Sequence, residues 1–187
     1  EARLLVMTSV FAGDFSADDV QAVLGPFVDA PTLQPLLRTL LERHLLFRRS
    51  DANDGQAGRF ALEDAVRSHG QRAATALPQW AQVQASHAER FTRVAAEAAD
   101  LLQAGHGGRA FDIYRAAVAE LEQALRWLRE HGHGLSYLRA CWKVGGLHAA
   151  FGALREAVEC LEAATATAAQ GREACDQMAW CHYMLSR

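Results

Sequence analysis

The chain has 187 residues, of which 50% are hydrophobic and 22% charged, and its formal net charge is -3. A chain of this size and composition buries one ordinary core or two small ones, so it belongs to the globular class. The slightly acidic balance excludes the broad positive field that drives sequence-independent binding to nucleic acids. No apolar run approaches the roughly 20 residues that span a bilayer, and no basic-then-apolar signal segment opens the chain. These features predict a cytoplasmic protein without a membrane partner.

The first 26 residues predict two helices. Apolar side chains at helical spacing indicate a first helix that ends at Gly13. Ser16 is a suitable N-cap for a second helix, and Asp18 and Asp19 then lie in its first turn, where carboxylates suit the positive end of the helix dipole. A Gly-Pro pair at positions 25 and 26 ends this helix.

A third helix is predicted over residues 33–44, with Thr32 as its cap. One face of this helix is entirely leucine, at Leu33, Leu36, Leu37, Leu40 and Leu41. The opposite face is polar and includes Gln34, Arg38 and Glu42.

Two strand-like runs follow, over residues 45–49 and 59–62. The loop between them is made of Ser, Asp, Asn and Gly, which tolerate turn geometry, so the pattern predicts a β-hairpin. Three helices followed by a hairpin is the order of a winged helix, here residues 1–77, in which the hairpin is the wing.

Four arginines of this predicted domain are candidate DNA contacts. Arg38 lies on the helix that enters the major groove in DNA-binding winged helices, and Arg48, Arg49 and Arg59 lie on the hairpin. A solvated surface is the stronger interpretation for the domain, because residues 1–77 hold eight Arg against ten Asp and Glu and the cations form no stripe. For the three hairpin arginines, a solvated wing and phosphate contacts are equally good explanations. Both interpretations stay open on the sequence alone.

Three segments of this region resemble a known module. They are LVMTSVFAGDFS from Leu5, LLRTLLERHLL from Leu36 and RFALEDAVR from Arg59. Together they resemble the winged helix that follows the nucleotide-binding domain in bacterial STAND-class signalling ATPases, the NB-ARC-like transcriptional regulators of the LuxR, AfsR and MalT type. The resemblance implies a winged helix that docks on its own nucleotide-binding domain and helps to hold the ADP-bound, inactive state. ATP and ADP are then cofactors of a longer parent protein, while this chain holds none and is not itself catalytic.

Many members of that family carry a Met-His-Asp motif at the start of the last winged-helix helix, with the His near the bound ADP. Leu62, Glu63 and Asp64 occupy the matching positions here, so Glu63 replaces the nucleotide-sensing His. A carboxylate repels a diphosphate unless a cation intervenes. We therefore expect Glu63 to favour the N-terminus of the helix.

Residues 78–134 predict a helical hairpin. After Leu77-Pro78, apolar residues from Trp80 to Leu101 recur at steps of three and four, which indicates a long amphipathic helix. A glycine-rich turn over residues 104–108 separates it from a second apolar series, and the two helices are expected to pair in antiparallel fashion. Residues 118–130 resemble the helix that joins the winged helix to the repeats in the same family.

Residues 135–187 predict tetratricopeptide-like repeats, the second of them truncated. Small and large apolar residues fall at the positions where such a repeat needs them, at Gly145, Gly152, Ala157, Leu161 and Ala164. The pattern restarts 34 residues later, since Cys141 corresponds to Cys175 and His148 to His182. The usual proline near the repeat end is replaced by Ala169.

The same register bears on a possible metal site. Cys141, Cys175, His148 and His182 are residue types that bind zinc, but their spacing is better explained by equivalent buried positions in successive repeats. His131 and His133 have no third ligand near them in sequence, and no nucleophile or phosphate-loop signature is present. We therefore predict no metal and no catalytic site.

The register also predicts a groove that binds a partner or effector. Its candidate residues are Arg139, Trp142, Trp180 and Tyr183, because aromatic side chains and arginine are effective anchors. The alternative is that neighbouring repeats of a longer protein cover these side chains. Such a longer protein is expected, because the chain enters and leaves in helical patterns.

The resemblance implies a function for the whole: the regulatory arm of a STAND-type bacterial transcriptional regulator. The winged helix would hold the nucleotide-binding domain closed until an effector or protein binds the repeats. Two alternatives belong to other classes. One is a winged helix that binds DNA directly, and the other is a scaffold that binds a protein through Trp142 and Trp180 without coupling to nucleotide.

Overall fold

A computed structural model describes residues 2–49, 58–131 and 134–168. Within these residues the fold is mainly helical, with one small antiparallel sheet of two strands. In chain order the elements are α1 Ala2–Thr8, α2 Ala17–Leu24, α3 Ala30–Glu42, β1 Leu46–Arg49, β2 Arg59–Leu62, α4 Asp64–Ala74, α5 Trp80–Gln103, α6 Gly107–Glu130, α7 Gly134–Ala150 and α8 Leu154–Ala168. The chain divides into two compact units, Glu1–Arg90 and Phe91–Arg187, so that α5 contributes to both.

Helix α1 ends before the predicted boundary at Gly13 because side chains of α4 bind the backbone there. The carbonyl of Ser9 accepts a hydrogen bond from Gln71 Nε2 at 3.2 Å, and the carbonyl of Ala12 accepts one from the Arg67 guanidinium. Carbonyls that have side-chain partners no longer need the helical partner four residues on. A periodicity of apolar residues cannot reveal such partners, so the predicted end was wrong.

The predicted cap of α2 is confirmed and extends to a third residue. Ser16 and Asp19 form a capping box, in which Ser16 Oγ accepts from the Asp19 amide at 3.1 Å and Asp19 Oδ2 accepts from the Ser16 amide at 2.9 Å. The other carboxylate oxygen, Oδ1, accepts from Arg90 Nε at 3.0 Å and from Arg90 Nη2 at 2.8 Å. The side chain of Asp19 is only 7% exposed, so this ion pair is largely desolvated and ties α2 to α5.

Helix α3 begins at Ala30, three residues before the predicted start. Its N-cap is Asp29 rather than Thr32, and the Thr32 hydroxyl donates to Asp29 Oδ2 at 2.7 Å from within the first turn. Pro31 fits this turn because the first helical amides have no partner in the helix. The prediction of Thr32 as the cap was therefore wrong, because Asp29 occupies the N-cap position.

Helix α3 ends at Glu42, whereas the prediction ran to His44. His44 has a φ of 55°, in the left-handed region, and the Leu45 amide donates to the Leu40 carbonyl at 2.9 Å. This is the backbone pattern of a Schellman end. The predicted leucine face is buried at its centre, with Leu33, Leu37 and Leu40 each at most 2% exposed.

The predicted hairpin is confirmed, and its loop lies outside the described residues. Strands β1 and β2 pair in antiparallel register, from Leu46 opposite Leu62 to Arg49 opposite Arg59. The backbone of Phe15 adds an isolated bridge to Phe60, with N to O distances of 2.9 and 2.7 Å. The segment between α1 and α2 therefore lies beside β2, which the sequence did not predict.

Aromatic side chains form the centre of the first unit. Phe11 and Phe15 stack with ring centroids 4.2 Å apart, and both are fully buried. The ring of His87 on α5 meets Phe11 edge-on at 5.8 Å and is itself 1% exposed. Aromatic pairs of this kind contribute beyond the burial of their area.

In the second unit α7 and α8 form the most extensive contact between described elements. A Cβ atom placed on Gly145 of α7 would lie 3.0 Å from Leu161 Cγ and 3.1 Å from Leu161 Cδ2, so only glycine fits without displacement. Gly152 has a φ of 87° in the turn between the helices, where the sequence predicted a turn glycine. Ala157, Leu161 and Ala164 are buried as predicted, whereas the second predicted repeat lies outside the described residues.

Among the described helices, none combines the length and the hydropathy that a bilayer crossing requires.

The ion pair of Asp19 gives a first prediction. The substitution Asp19→Ala removes the capping carboxylate and leaves the guanidinium of Arg90 without this partner. We expect the first unit to lose about 3 kcal/mol of its free energy of unfolding, since deleting one partner of a largely buried pair is costly. Hydrogen exchange of the α2 amides measures this loss for the first unit by itself.

Asp18 is the matched control, because it lies in the same helical turn but is exposed. The substitution Asp18→Ala removes a favourable interaction with the helix dipole and should cost less than about 1 kcal/mol. Equal losses in the two variants would show that the Asp19–Arg90 pair contributes nothing special.

Adjacent glycines of α7 give a second prediction. The substitution Gly146→Ala meets no atom within 4 Å and should stabilise the protein by up to about 1 kcal/mol, because alanine favours helix. Gly145→Ala gains the same propensity but must displace the buried side chain of Leu161. We expect it to be about 1–2 kcal/mol less stable than Gly146→Ala. Thermal unfolding of both variants by circular dichroism tests this order, and equal stability would contradict the close approach at Gly145.

Candidate functional site

A pocket lies between α7 and the C-terminal end of α5, within the second unit. Its volume is about 460 Å³. The described lining residues are Ala99, Leu102 and Gln103 on α5 and Trp142, Lys143, Gly146, Leu147, Ala149 and Ala150 on α7. Most of these side chains are apolar or small, and pockets of roughly 300–1,000 Å³ with such walls are typical of small-molecule sites.

Trp142 and Gly146 form one continuous part of the pocket wall. They are four residues apart on α7, so they lie one above the other on the same helix face. Trp142 is half-buried, and the space above the Gly146 Cα is open, since a Cβ atom there would meet nothing within 4 Å. The indole therefore lies beside Gly146, where the pocket wall has no side chain and forms an open floor.

Lys143 brings a positive charge to the pocket. It is the single lysine of the chain, and its ammonium lies 3.9 Å from Asp100 Oδ1 on α5. The carboxylate of Asp100 is 75% exposed, whereas Lys143 is 27% exposed. An ion pair at this distance with one solvated partner is weak. Lys143 is the charged residue among the described residues that line the cavity, and Asp100 is not one of them.

The predicted groove residues are brought together only in part. Trp142 lines the pocket, and Arg139 is exposed one turn earlier on α7 but is not among the lining residues. Trp180 and Tyr183 lie outside the described residues.

A buried polar pair connects α6 with α7. Tyr114 Oη lies 2.8 Å from His148 Nδ1, and the two rings meet edge-on at 5.5 Å. Burial lowers the pKa of His148, while Glu122 and Glu156 act in the opposite direction. Burial also raises the pKa of Tyr114. Both directions favour the neutral form of the group, and the two side chains share one buried hydrogen bond.

Two thiols lie close together where α7 meets α8. Cys160 Sγ is 3.3 Å from the carbonyl oxygen of Cys141, and the two cysteines are not joined in a disulfide. Hydrogen bonding from the Cys160 thiol lowers the pKa of Cys141, against the effect of its burial. Burial raises the pKa of Tyr137, one turn earlier on α7. The prediction that Cys141 and His148 are buried is confirmed.

The residues considered as metal ligands do not come together within the described part of the chain. No group of three or more His, Cys, Asp or Glu side chains is placed there to hold a metal ion. Cys175, His182 and His133 lie outside the described residues. The ring of His131 stacks on Trp127 at 4.5 Å, and its Nδ1 lies 2.9 Å from the Trp127 carbonyl.

The four candidate DNA contacts differ in their surroundings. Arg38 is exposed on α3, and Arg48 is exposed on β1. Arg49 Nε lies 3.8 Å from the carboxylate of Asp14, and Arg59 is half-buried and donates to the backbone carbonyl of Asp14. Arg59 therefore has a role inside the fold, in joining β2 to the segment before α2.

Glu63 is the N-cap residue of α4, which agrees with its predicted place at the start of a helix. Its backbone is extended, and its carbonyl accepts from the Arg67 amide at 2.8 Å. The carboxylate makes no capping hydrogen bond and is exposed. The side chain thus acts on the helix through its charge alone.

Sequence reasoning missed three features of these sites. Lys143 was notable only as the single lysine, and the pairings of Asp19 with Arg90 and of Tyr114 with His148 had no signal in the sequence. Each of the two pairings joins residues of different helices. Tyr114 and His148 are 34 positions apart in the sequence, and Asp19 and Arg90 are 71 positions apart. Helical periodicity assigns such residues to a face but does not say which face of another helix they meet.

Comparisons with protein families, with curated proteins and with solved structures found no match.

The Tyr114–His148 pair gives a third prediction. Because the pKa of His148 is lowered in the folded protein, protonation favours the unfolded chain. The contribution of this residue to stability is full above its ordinary value of 6.5 and is lost as the pH falls below it. We therefore expect the melting temperature to fall less steeply with acidification in His148→Gln than in the unaltered protein.

His106 supplies the control, because it is exposed at the start of α6. The substitution His106→Gln should leave the slope of melting temperature against pH unchanged. An unaltered slope in His148→Gln would mean that this histidine does not titrate with folding.

Proposed function

We propose that this chain is the regulatory arm of a STAND-type bacterial regulator, in which a winged helix at residues 1–77 restrains a nucleotide-binding domain. The observation that carries the proposal is the backbone bridge between Phe15 and Phe60. With it, the first unit has the order helix, bridge strand, two helices and two hairpin strands. A short strand after the first helix, beside the wing, is what a winged helix requires in addition to the three helices and hairpin. This independent feature supports the assignment made from the sequence.

The packing of α4 also supports a winged helix with a stable frame. A Cβ atom on Gly70 would lie 2.7 Å from Ser9 Cβ, so α4 and α1 approach each other closely. Arg67 and Gln71 bind the backbone after α1. The start of α4, where the family has its nucleotide-sensing His, is therefore held on a rigid base. Glu63 at this position is exposed and available to a docking domain.

The second unit supplies the sensing part of the proposal. The close crossing at Gly145 and the turn at Gly152 support a tetratricopeptide-like helix pair formed by α7 and α8. The pocket beside Trp142 supports a surface that takes an effector or part of a partner protein. A ligand that binds one state of the regulator more tightly than the other shifts the population toward that state. The chain itself carries no catalytic step in this proposal.

The two alternative functions have less support. Direct DNA binding through the winged helix would use Arg38, Arg48, Arg49 and Arg59, yet Arg59 binds the Asp14 carbonyl and Arg49 lies beside the Asp14 carboxylate. The acidic surplus of residues 1–77 also opposes attraction to phosphates. A scaffold without nucleotide coupling would use the same Trp142 surface, and it differs from the switch only in its response to nucleotide.

Nucleotide binding provides the fourth prediction. A longer protein that includes the proposed nucleotide-binding domain should bind ADP tightly, and removal of residues 1–77 should weaken ADP binding by about 10–100-fold, the usual size of such coupling. The affinity for ATP should change less, because the winged helix is proposed to favour the ADP state. Isothermal titration calorimetry measures both affinities.

The substitution Glu63→Gln supplies a second arm that keeps the fold intact, because the carboxylate has no hydrogen-bonding role in the cap. It should tighten ADP binding, since it removes an anion near the diphosphate. Ser68→Gln, on an exposed position of α4, is the control and should have no effect. An ADP affinity that does not change when residues 1–77 are removed would overturn the proposed restraint of the nucleotide-binding domain. The scaffold and DNA-binding functions would then remain as explanations.

A further inference from the structure

The pocket between α5 and α7 has walls and charge that together define a class of ligand. Ala99, Leu102, Leu147 and Ala150 make most of the lining apolar or small. The volume of about 460 Å³ suits a compact molecule and is too small for a folded partner to enter. An extended peptide is also a poor fit, because a concave pocket on two helices offers no strand edge for main-chain hydrogen bonds.

The aromatic wall indicates a flat ligand. Trp142 presents an indole beside the open floor at Gly146, which lies one helical turn further along α7. A planar ring laid over Gly146 approaches the helix backbone closely and packs against the indole. Ring–ring contacts of this kind contribute beyond the area that they bury.

The charge indicates an anion. Lys143 lines the cavity, and its ammonium lies 3.9 Å from the carboxylate of Asp100, which is 75% exposed. A carboxylate on the ligand can approach this ammonium more closely, beside walls that are mostly apolar. Gln103 lies in the same lining and offers an amide donor to the same group.

We propose that this pocket binds a small planar aromatic carboxylate, with its ring against Trp142 over Gly146 and its carboxylate on Lys143. The inference names the effector class for the sensing role proposed above and rests on that proposal for its biological meaning. Binding to the chain itself requires no nucleotide-binding domain. The two proposals can therefore fail separately.

The experiment compares three probes of the same size by calorimetry on the full 187-residue chain. They are indole acetate, indole acetamide and tryptamine, which share a ring and differ in the charge of the side chain. We expect indole acetate to bind about tenfold more tightly than the amide, and tryptamine to bind least, because the ammonium of Lys143 attracts only the anion.

Substitutions test each part of the proposed site. Lys143→Gln should abolish the difference between acetate and amide, whereas Lys143→Arg should retain it. Gly146→Leu should block all three probes by filling the floor, and Asp100→Asn should tighten acetate binding by removing a competitor for the ammonium. Arg139→Gln is the matched control, since it removes an exposed cation one turn away on the same helix, outside the lining.

Circular dichroism confirms that each variant is folded before its affinity is compared. Equal affinities for acetate and amide in the unaltered chain would overturn the proposal, as would indole acetate binding that survives Gly146→Leu. The absence of saturable binding of indole acetate up to about 2 mM, a concentration that detects even weak complexes, would overturn it as well.

Discussion

The close approach of α7 and α8 at Gly145 is the constraint on which the second unit depends. Because no Cβ atom separates the helices there, the side chain of Leu161 lies directly against the α7 backbone. Eight of the 17 residues of α7 are buried, and their partners lie on both α6 and α8. This helix is therefore central, and its other faces must meet other helices.

Each remaining contact of α7 carries a different chemistry. Toward α6, His148 meets Tyr114 in a buried hydrogen-bonded pair. Toward α8, Cys141 lies beside Cys160. Toward α5, small residues such as Gly146 and Ala150 leave the helices apart, so that a pocket with one tryptophan and one lysine remains. The same helix thus forms a tight crossing on one side and a cavity on another. Glycine and alanine explain both, because their small side-chain volume lets α8 approach on one side and leaves space on the other.

Two buried polar side chains, one in each unit, have a partner on another helix. Asp19 accepts from Arg90 while it also caps its own helix, and His148 pairs with Tyr114. Deleting one partner leaves the other desolvated without compensation, so such pairs fix which helices meet. Helix α5 contributes to both units, since Arg90 belongs to the first, whereas Ala99, Leu102 and Gln103 line the pocket of the second.

The sequence by itself determined the order and type of the elements. Leucines on one face predicted α3, alternation around a polar loop predicted the hairpin, and small residues in a repeat register predicted that Gly145 and Leu161 would be buried. These are properties of near neighbours along the chain, which helical and strand periods encode directly. Trp142 was also placed in a groove from its register, and it lines the pocket.

Tertiary structure alone decided the ends of helices and the contents of the sites. Helix α1 stops early because Gln71 and Arg67, about 60 residues later, bind its following carbonyls. The pocket needs Lys143 and Gln103, which come from two helices whose separation depends on packing elsewhere. A side chain's partner across a helix interface depends on the crossing of both helices, and local periodicity does not specify that crossing.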